Sequence, residues 1–330
     1  MKTNFTSKLM TALIGVSLLA TTSCKKNSSG PEIDLAAPSA ASFQELRKKT
    51  LEDMTQTQVF KAEDGINFTS AKGVEVKISP NCLVDENNNP VTGNVTISFI
   101  EIFDRGSMVL ANKPVMGRNN NGDVSPLVTG GQYNIKIMQG NKEVKPGCSY
   151  NVSVPANNTG AIDTDMLLWR GTIDQEGNLV WDETGGNHGK EAGMNINTER
   201  ATYAIWDNEF GWTNVDRFYS DARPKTQIKV TVPSAYNKDN AGIYLAYEGE
   251  PNVLAQLDTY DMQDHFFSEH YGFIPVGLTL HVIFMSENNG SVAYAIKKAT
   301  IVANGTIAIG TEDIKTTSKS QLINMINALN

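Results

Sequence analysis

Hydrophobic positions along most of the chain recur at a period of two. Val74, Val76 and Ile78 alternate with Glu75 and Lys77. Val95, Ile97 and Phe99 follow in NVTISFIEIF, then Tyr133, Ile135 and Ile137, then Tyr150, Val152 and Val154. Successive strand residues point to opposite faces, so this pattern predicts half-buried β-strands. Between them lie DENNNPVTG, GRNNNGDVSP and KPG, whose Asn, Gly and Pro residues favour turns. Strands with no helical period between them predict antiparallel pairing. A second set, QIKVTVP, AGIYLAYEG, NVLAQLD, LTLHVIFMSE, VAYAIKKATIVA and GTIAIG, repeats the texture over 226–312.

Helical spacing is confined to three places. Leu9–Ala20 is a continuous apolar run behind Lys2 and Lys8, too short to span a bilayer and suited to the core of an export signal. From Phe43 to about Met54, Phe43, Leu46 and Met54 give a thin apolar stripe, and Ser42 and Glu45 have the spacing of a capping box. At the C-terminus, Leu322, Ile323, Met325, Ile326 and Leu329 form an apolar face behind Ser318 and Gln321, which predicts a terminal amphipathic helix lying on the second β region.

The predicted fold is therefore all-β: two antiparallel β-sandwich domains of immunoglobulin-like kind with a short C-terminal α-helix. The expected organisation is a signal over 1–23, a tether with a short helix over 24–56, and a first sandwich over 57–156. An aromatic-rich connector over 157–225, a second sandwich over 226–312 and the helical segment 313–330 complete it. The connector holds all four tryptophans. LLWRGTIDQEGNLVWDE predicts a hairpin turning at Gly177-Asn178, with Trp169 and Trp181 towards its outer ends. TYAIWDNEFGWTNVDRFY adds Trp206, Phe210, Trp212, Phe218 and Tyr219. These rings can plug a seam between domains or form a contact platform, and Trp206, Trp212, Tyr219 and Arg217 are the candidate ligand contacts. Asp216 and Arg217 are adjacent candidates for an ion pair.

Charge and composition narrow the function. The formal net charge is −8, and loss of Lys2 and Lys8 with a cleaved signal would take it from −8 to −10. No basic run offers a footprint for nucleic acid. Nucleophile and metalloprotease motifs are absent, and only four histidines are present. His188 sits in a glycine loop and His281 in a strand. His265 and His270, beside Asp264 and Glu269, are the best metal candidates, but their spacing does not align them on a helix face, and a polar loop around Phe266 and Phe267 is the preferred reading. Asp85, Asn87 and Asn89 begin like a calcium loop, but Pro90 and Thr96 stand where glycine and an acid are needed, so a turn explains them better. The sequence predicts a protein that is not an enzyme and uses no cofactor.

Three cysteines are present: Cys24, Cys82 and Cys148. SLLATTSC resembles a bacterial lipobox, with Thr21 where Leu is usual; the resemblance implies lipidation of Cys24 and membrane attachment through an N-terminal lipid anchor. The Ser-, Ala- and Pro-rich stretch after it is then a tether. Cys82 and Cys148 form either one disulfide or two separate thiols. GVEVKISPNCLVDENNNPVTGNVTISFIEIFDRGSMVLAN, LVTGGQYNIKI and VKPGCSYNVSVP together resemble a β-sandwich recurrent in uncharacterised Bacteroidota cell-envelope lipoproteins, distantly similar to the sandwich of ankyrins and netrin receptors. FGWTNVDRF resembles a linking motif of the same lipoproteins. The likeness covers about a third of the chain and implies an outer-membrane location in the cell envelope. It also favours a disulfide particular to this chain, because Cys82 and Cys148 replace small or polar residues. The expected role is adhesion, assembly or protein interaction with other envelope proteins; the alternative is capture of glycans. Lys25, Lys26 and Asn27 after Cys24 leave the leaflet open.

Overall fold

The computed structural model describes residues 1, 38–119, 121–173, 179–184, 192–270 and 272–330. Cys24, the tether as far as residue 37, the Gly177-Asn178 turn and His188 lie outside the described residues.

The longest strand, Val124–Gln139, organises a large sheet. Asn94–Ile102 pairs along its C-terminal half, with Ile97 opposite Ile137 and Phe99 opposite Ile135, and Gln56–Lys61 lies beyond at the edge. Gly211–Phe218 pairs along its other side, with a bulge between Asn214 and Asp216. Leu167–Ile173 and Leu179–Glu183 follow as an antiparallel pair. Met116–Arg118 then pairs in parallel with Leu179–Glu183 and antiparallel with the first residues of Val124–Gln139, so five strands close on themselves. Leu127, Trp169, Leu179 and Trp181 are all buried there, in one apolar cluster. Gly117 has no side chain because a β-carbon would stand 2.6 Å from Leu127. Both indoles find acceptors: Trp169 Nε1 donates to the Asp216 carbonyl at 2.7 Å and Trp181 Nε1 to the Pro114 carbonyl at 3.1 Å. A buried N–H left unpaired would cost roughly 1–3 kcal/mol.

A second, wholly antiparallel sheet runs Gly193–Asn197, Thr202–Asp207, Tyr150–Pro155, Glu75–Ile78 and Ile66–Thr69. Val76 and Ile78 are buried while Glu75 and Lys77 are exposed, which follows the alternation in the sequence. Phe68 of this sheet meets Phe99 of the large one at 5.2 Å between ring centroids, and Phe99 stacks on Tyr133 at 5.9 Å. The segment read as a connector thus supplies strands to both sheets. Its buried tryptophans, Trp169 and Trp181, fill the closed part of the large sheet.

The C-terminal region contributes a five-stranded sheet, Leu254–Leu257, Ala241–Tyr247, Thr279–Asn288, Ser291–Thr300 and Lys315–Thr317. A four-stranded sheet, Thr259–Asp261, Phe266–Ser268, Lys229–Thr231 and Thr306–Ala308, joins its last pair in parallel. Antiparallel pairing therefore dominates, with two short parallel exceptions among the described residues. Every residue of Ala241–Tyr247 is buried. Ile243, Leu245 and Tyr247 enter one core, while Tyr244 and Ala246 enter a second. Burial on both faces removes the need for alternation, which is why AGIYLAY reads as a continuous apolar run.

Three helices build that second core. Helix α1 (Ala40–Met54) buries Phe43, Leu46 and Thr50. Its cap is Ser39, which accepts from the Ser42 amide; Ser42, the expected cap, lies inside the helix. Helix α2 (Arg105–Ala111) was not foreseen among the strands. Asp104 caps it by accepting from the Ser107 amide, and every residue in it is buried. Helix α3 (Lys319–Asn327) has the expected capping box between Ser318 and Gln321 and buries Leu322 and Ile326. It docks against α2 as well as the C-terminal sheet: Asn327 accepts from the Gly106 amide at 2.8 Å, and a β-carbon at Gly106 would stand 2.6 Å from the Ile323 backbone. The Tyr294 hydroxyl donates to Met325 Sδ at 3.6 Å from the sheet side. The described residues from 38 to 330 form one compact unit.

Candidate functional site

A cleft of about 540 Å³ opens between α1, the turn after α2, and the start of Ala241–Tyr247. Its formation begins with Asn112, which ends α2 at φ +52°. Asparagine tolerates this left-handed conformation, and the turn returns the Lys113 amide to the Met108 carbonyl at 2.8 Å. Pro114 prevents the helix from continuing. Lys113 thereby emerges at the cleft, its ammonium 5.3 Å from the centre of the Trp212 ring. Burial first, and the charge of Arg47 second, lower its pKa to about 8.

Arg47 approaches from α1. One turn after Phe43, its guanidinium carbon lies 4.0 Å from the Phe43 ring centre. One Nη donates to the Tyr244 hydroxyl at 3.4 Å, and that hydroxyl donates to Asn112 Oδ1 at 2.5 Å. The Arg47 Nε–H is buried with no hydrogen-bond partner among the described residues. Neither Arg47 nor Lys113 has a carboxylate within ion-pair distance among the described residues. The wall opposite is kept open by Gly242, where a β-carbon would stand 2.9 Å from the Tyr244 hydroxyl and 3.2 Å from the Arg47 guanidinium.

Three acids line the cleft, and two of them are engaged by other residues. Glu52 lies 3.7 Å from Lys48 at the exposed rim. Asp258 accepts from His270 at 3.1 Å. The remaining polar wall comes from Gln44, Lys238, Asp239 and Gln256. Two neighbouring, partly desolvated cations without a counter-charge are a disfavoured arrangement, since both burial and mutual repulsion oppose the charged forms.

The residues singled out in the sequence do not assemble into one platform. Trp206 belongs to the second sheet, where its ring covers Gly193; Trp212 belongs to the large sheet, behind Lys113. Both are half-buried. Tyr219 packs edge-on against Tyr247 at 5.2 Å and donates to Asp221 at 3.1 Å. Arg217 donates through Nε to Asp163 at 2.7 Å, so its partner is Asp163 and not the adjacent Asp216. Asp216 is fully buried, accepts from the Asn214 side chain at 2.6 Å, and has its pKa raised by burial. Alternation along a strand sends neighbours to opposite faces, which separates Asp216 from Arg217. Cys82 and Cys148 are bonded, with α-carbons 5.3 Å apart. His265 shares a hydrogen bond with Tyr260 at 3.0 Å, while His270 pairs with Asp258 and Glu269 accepts from the Gly272 amide. Asp85 accepts from the amides of Asn87 and Asn89, so its loop is a self-capped turn.

Sequence reasoning missed Arg47 and Lys113. The signals were present in outline: a basic residue on the apolar side of a helix, and Asn-Lys-Pro closing an apolar stretch. Compared with known proteins, the chain matches no family model and no curated sequence.

Proposed function

We propose that this protein is a lipid-anchored, non-catalytic binding protein of the bacterial cell envelope, held at its membrane through Cys24 and serving adhesion, assembly or protein interaction. The observation that carries this reading is the Cys82–Cys148 bond, which closes across 66 positions of sequence. Disulfides persist in oxidising compartments and are rare in the cytosol, so the bond supports export, as does the signal-like pattern before Cys24. In the same proposal the domains are two immunoglobulin-like sandwiches. The large and second sheets, opposed through Phe68 and Phe99, compose the first, which then extends to about Phe218. The two C-terminal sheets compose the other, with Val230, Phe267, Val282 and Phe284 in their shared core. Glycan capture is kept as a second reading because the walls of the cleft carry Gln44, Asn112 and Gln256, side chains suited to hydroxyl groups.

Fractionation of cells carrying Cys24→Ala beside the parent tests the anchor. The parent is expected with the membranes and the variant in the soluble fraction; unchanged fractionation defeats the anchor. Maleimide labelling without reductant tests export, since free Cys82 and Cys148 in protein taken from cells would contradict it. Protease treatment of intact cells then assigns the leaflet.

A further inference from the structure

We propose that the cleft between α1 and the turn after α2 binds a small polar molecule through an oxyanion, a carboxylate or phosphate group seated between Arg47 and Lys113. The inference goes beyond the envelope assignment and does not rest on the lipid anchor.

Three observations converge on it. First, the cavity has about 540 Å³, within the roughly 300–1,000 Å³ typical of small-molecule pockets. Second, two cations from separate elements converge there with no carboxylate in ion-pair distance of either among the described residues, whereas three other partly buried arginines are ion-paired. Arg170 meets Asp207, Arg118 meets Asp182 at 2.7 Å, and Arg217 meets Asp163. Third, each cation is held by packing: Arg47 over Phe43 and Lys113 over Trp212. Such prior ordering reduces the entropy lost on binding. A guanidinium forks onto a carboxylate or phosphate, and an ammonium completes the charge neutralisation as a point charge. Gln44 at the rim lines the cleft for the polar remainder of the molecule, while Asn112 Oδ1 is already shared by the Tyr244 hydroxyl and Gln256 Nε2.

Lys113 shares the cleft with Arg47, Lys48 and Glu52 of α1, with Lys238, Asp239 and Asp258 of the opposite wall, and with the Tyr244 hydroxyl behind Arg47. Its ammonium is mostly charged at neutral pH and loses its proton as pH passes about 8. Binding should weaken over that range.

Isothermal titration calorimetry of the purified full-length protein, with inorganic phosphate, glucuronate and neutral glucose as probes, decides the matter. At pH 7 at least one anion is expected to bind, with glucose far weaker. Arg47→Met and Lys113→Met should each weaken binding by roughly tenfold or more, and Lys113→Arg should retain much of it. Thermal melts of each variant check folding, and Arg47→Lys replaces any variant that does not fold. Binding by phosphate alone assigns a phosphorylated ligand, and binding by glucuronate alone a carboxylated one. No binding by either anion, glucose binding as tight as glucuronate, or equal affinity in the Arg47→Met/Lys113→Met double variant would overturn the proposal.

Discussion

Two parts of the molecule bury a cation beside α2 and treat it in opposite ways. At the start of α2, Arg105 is only 3% exposed, and it donates to the Tyr247 carbonyl at 3.1 Å and to the Leu329 carbonyl at 2.6 Å. Those bonds tie α2 to the end of a C-terminal strand and to the chain's last residues. At the other end, Lys113 has a ring beneath it and Arg47 beside it, while Arg47 makes one long hydrogen bond and leaves its Nε–H unpaired. The first arrangement uses its donors on the protein itself and so acts as a structural fastener. The second keeps charge uncompensated, a condition that a fold tolerates only when other contacts outweigh it. Where a buried donor is satisfied, stability is the adequate explanation; where it is not, an external partner is the better one.

The largest effect should come from breaking the fastener. Arg105→Met removes a charged donor from the buried Tyr247 carbonyl and the half-buried Leu329 carbonyl, which should lower stability by about 3 kcal/mol. Urea unfolding followed by tryptophan fluorescence measures it. A loss under about 1 kcal/mol would show that water replaces the guanidinium and would remove one side of the comparison.

Arg47→Met should behave differently. The methionine keeps apolar packing against Phe43, relieves repulsion on Lys113 and removes an unpaired donor. What it gives up is a cation–ring contact of roughly 0.5–1 kcal/mol and the long hydrogen bond to the Tyr244 hydroxyl, weak at 3.4 Å. The unliganded variant should therefore match the parent within about 1 kcal/mol, or exceed it. A loss as large as that of Arg105→Met would make Arg47 a fastener too and weaken the case for a ligand.

The strands were legible because half-buried strands print their period onto the sequence, as at Val74, Val76 and Ile78. Helix α3 was legible for a similar reason, its capping box at Ser318 and Gln321 preceding a clear apolar face. Helix α2 was not. Buried on all sides, RGSMVLA has no polar face to mark a helical period, and its capping Asp104 is a single residue. The partnership of strands was hidden as well. Turns are local, but the return of Met116–Arg118 to pair with both Leu179–Glu183 and Val124–Gln139 is set by packing between distant segments. The cleft shared that fate. Arg47 and Lys113 are 66 positions apart and meet only because α2 ends in a left-handed Asn112, whereas the aromatic residues chosen as contacts were conspicuous in sequence and mostly serve packing.

The remaining expected effect is the one most specific to Lys113. Its pKa falls from an ordinary 10.5 to about 8 in the folded protein, through burial first and Arg47 second. Below pH 8 both folded and unfolded chains hold the proton, so its contribution to stability is constant and unfavourable. Between about 8 and 10.5 Lys113 holds its proton more in the unfolded chain than in the folded one, so its contribution to stability rises with pH. Buried Tyr133, Tyr150, Tyr244 and Tyr247 work the other way near the upper end, since burial raises their pKa values while the unfolded phenols ionise near 10. Those tyrosines are common to parent and Lys113→Met, so the difference between the two stability curves isolates the lysine. That difference should climb between pH 8 and 10 and flatten below 8. Placing the same comparison in an Arg47→Met background should move the onset upward, because one of the two causes of the depression is gone. A flat difference curve would mean that Lys113 titrates as a solvated lysine, and the contrast with Arg105 would then rest on Arg47 alone.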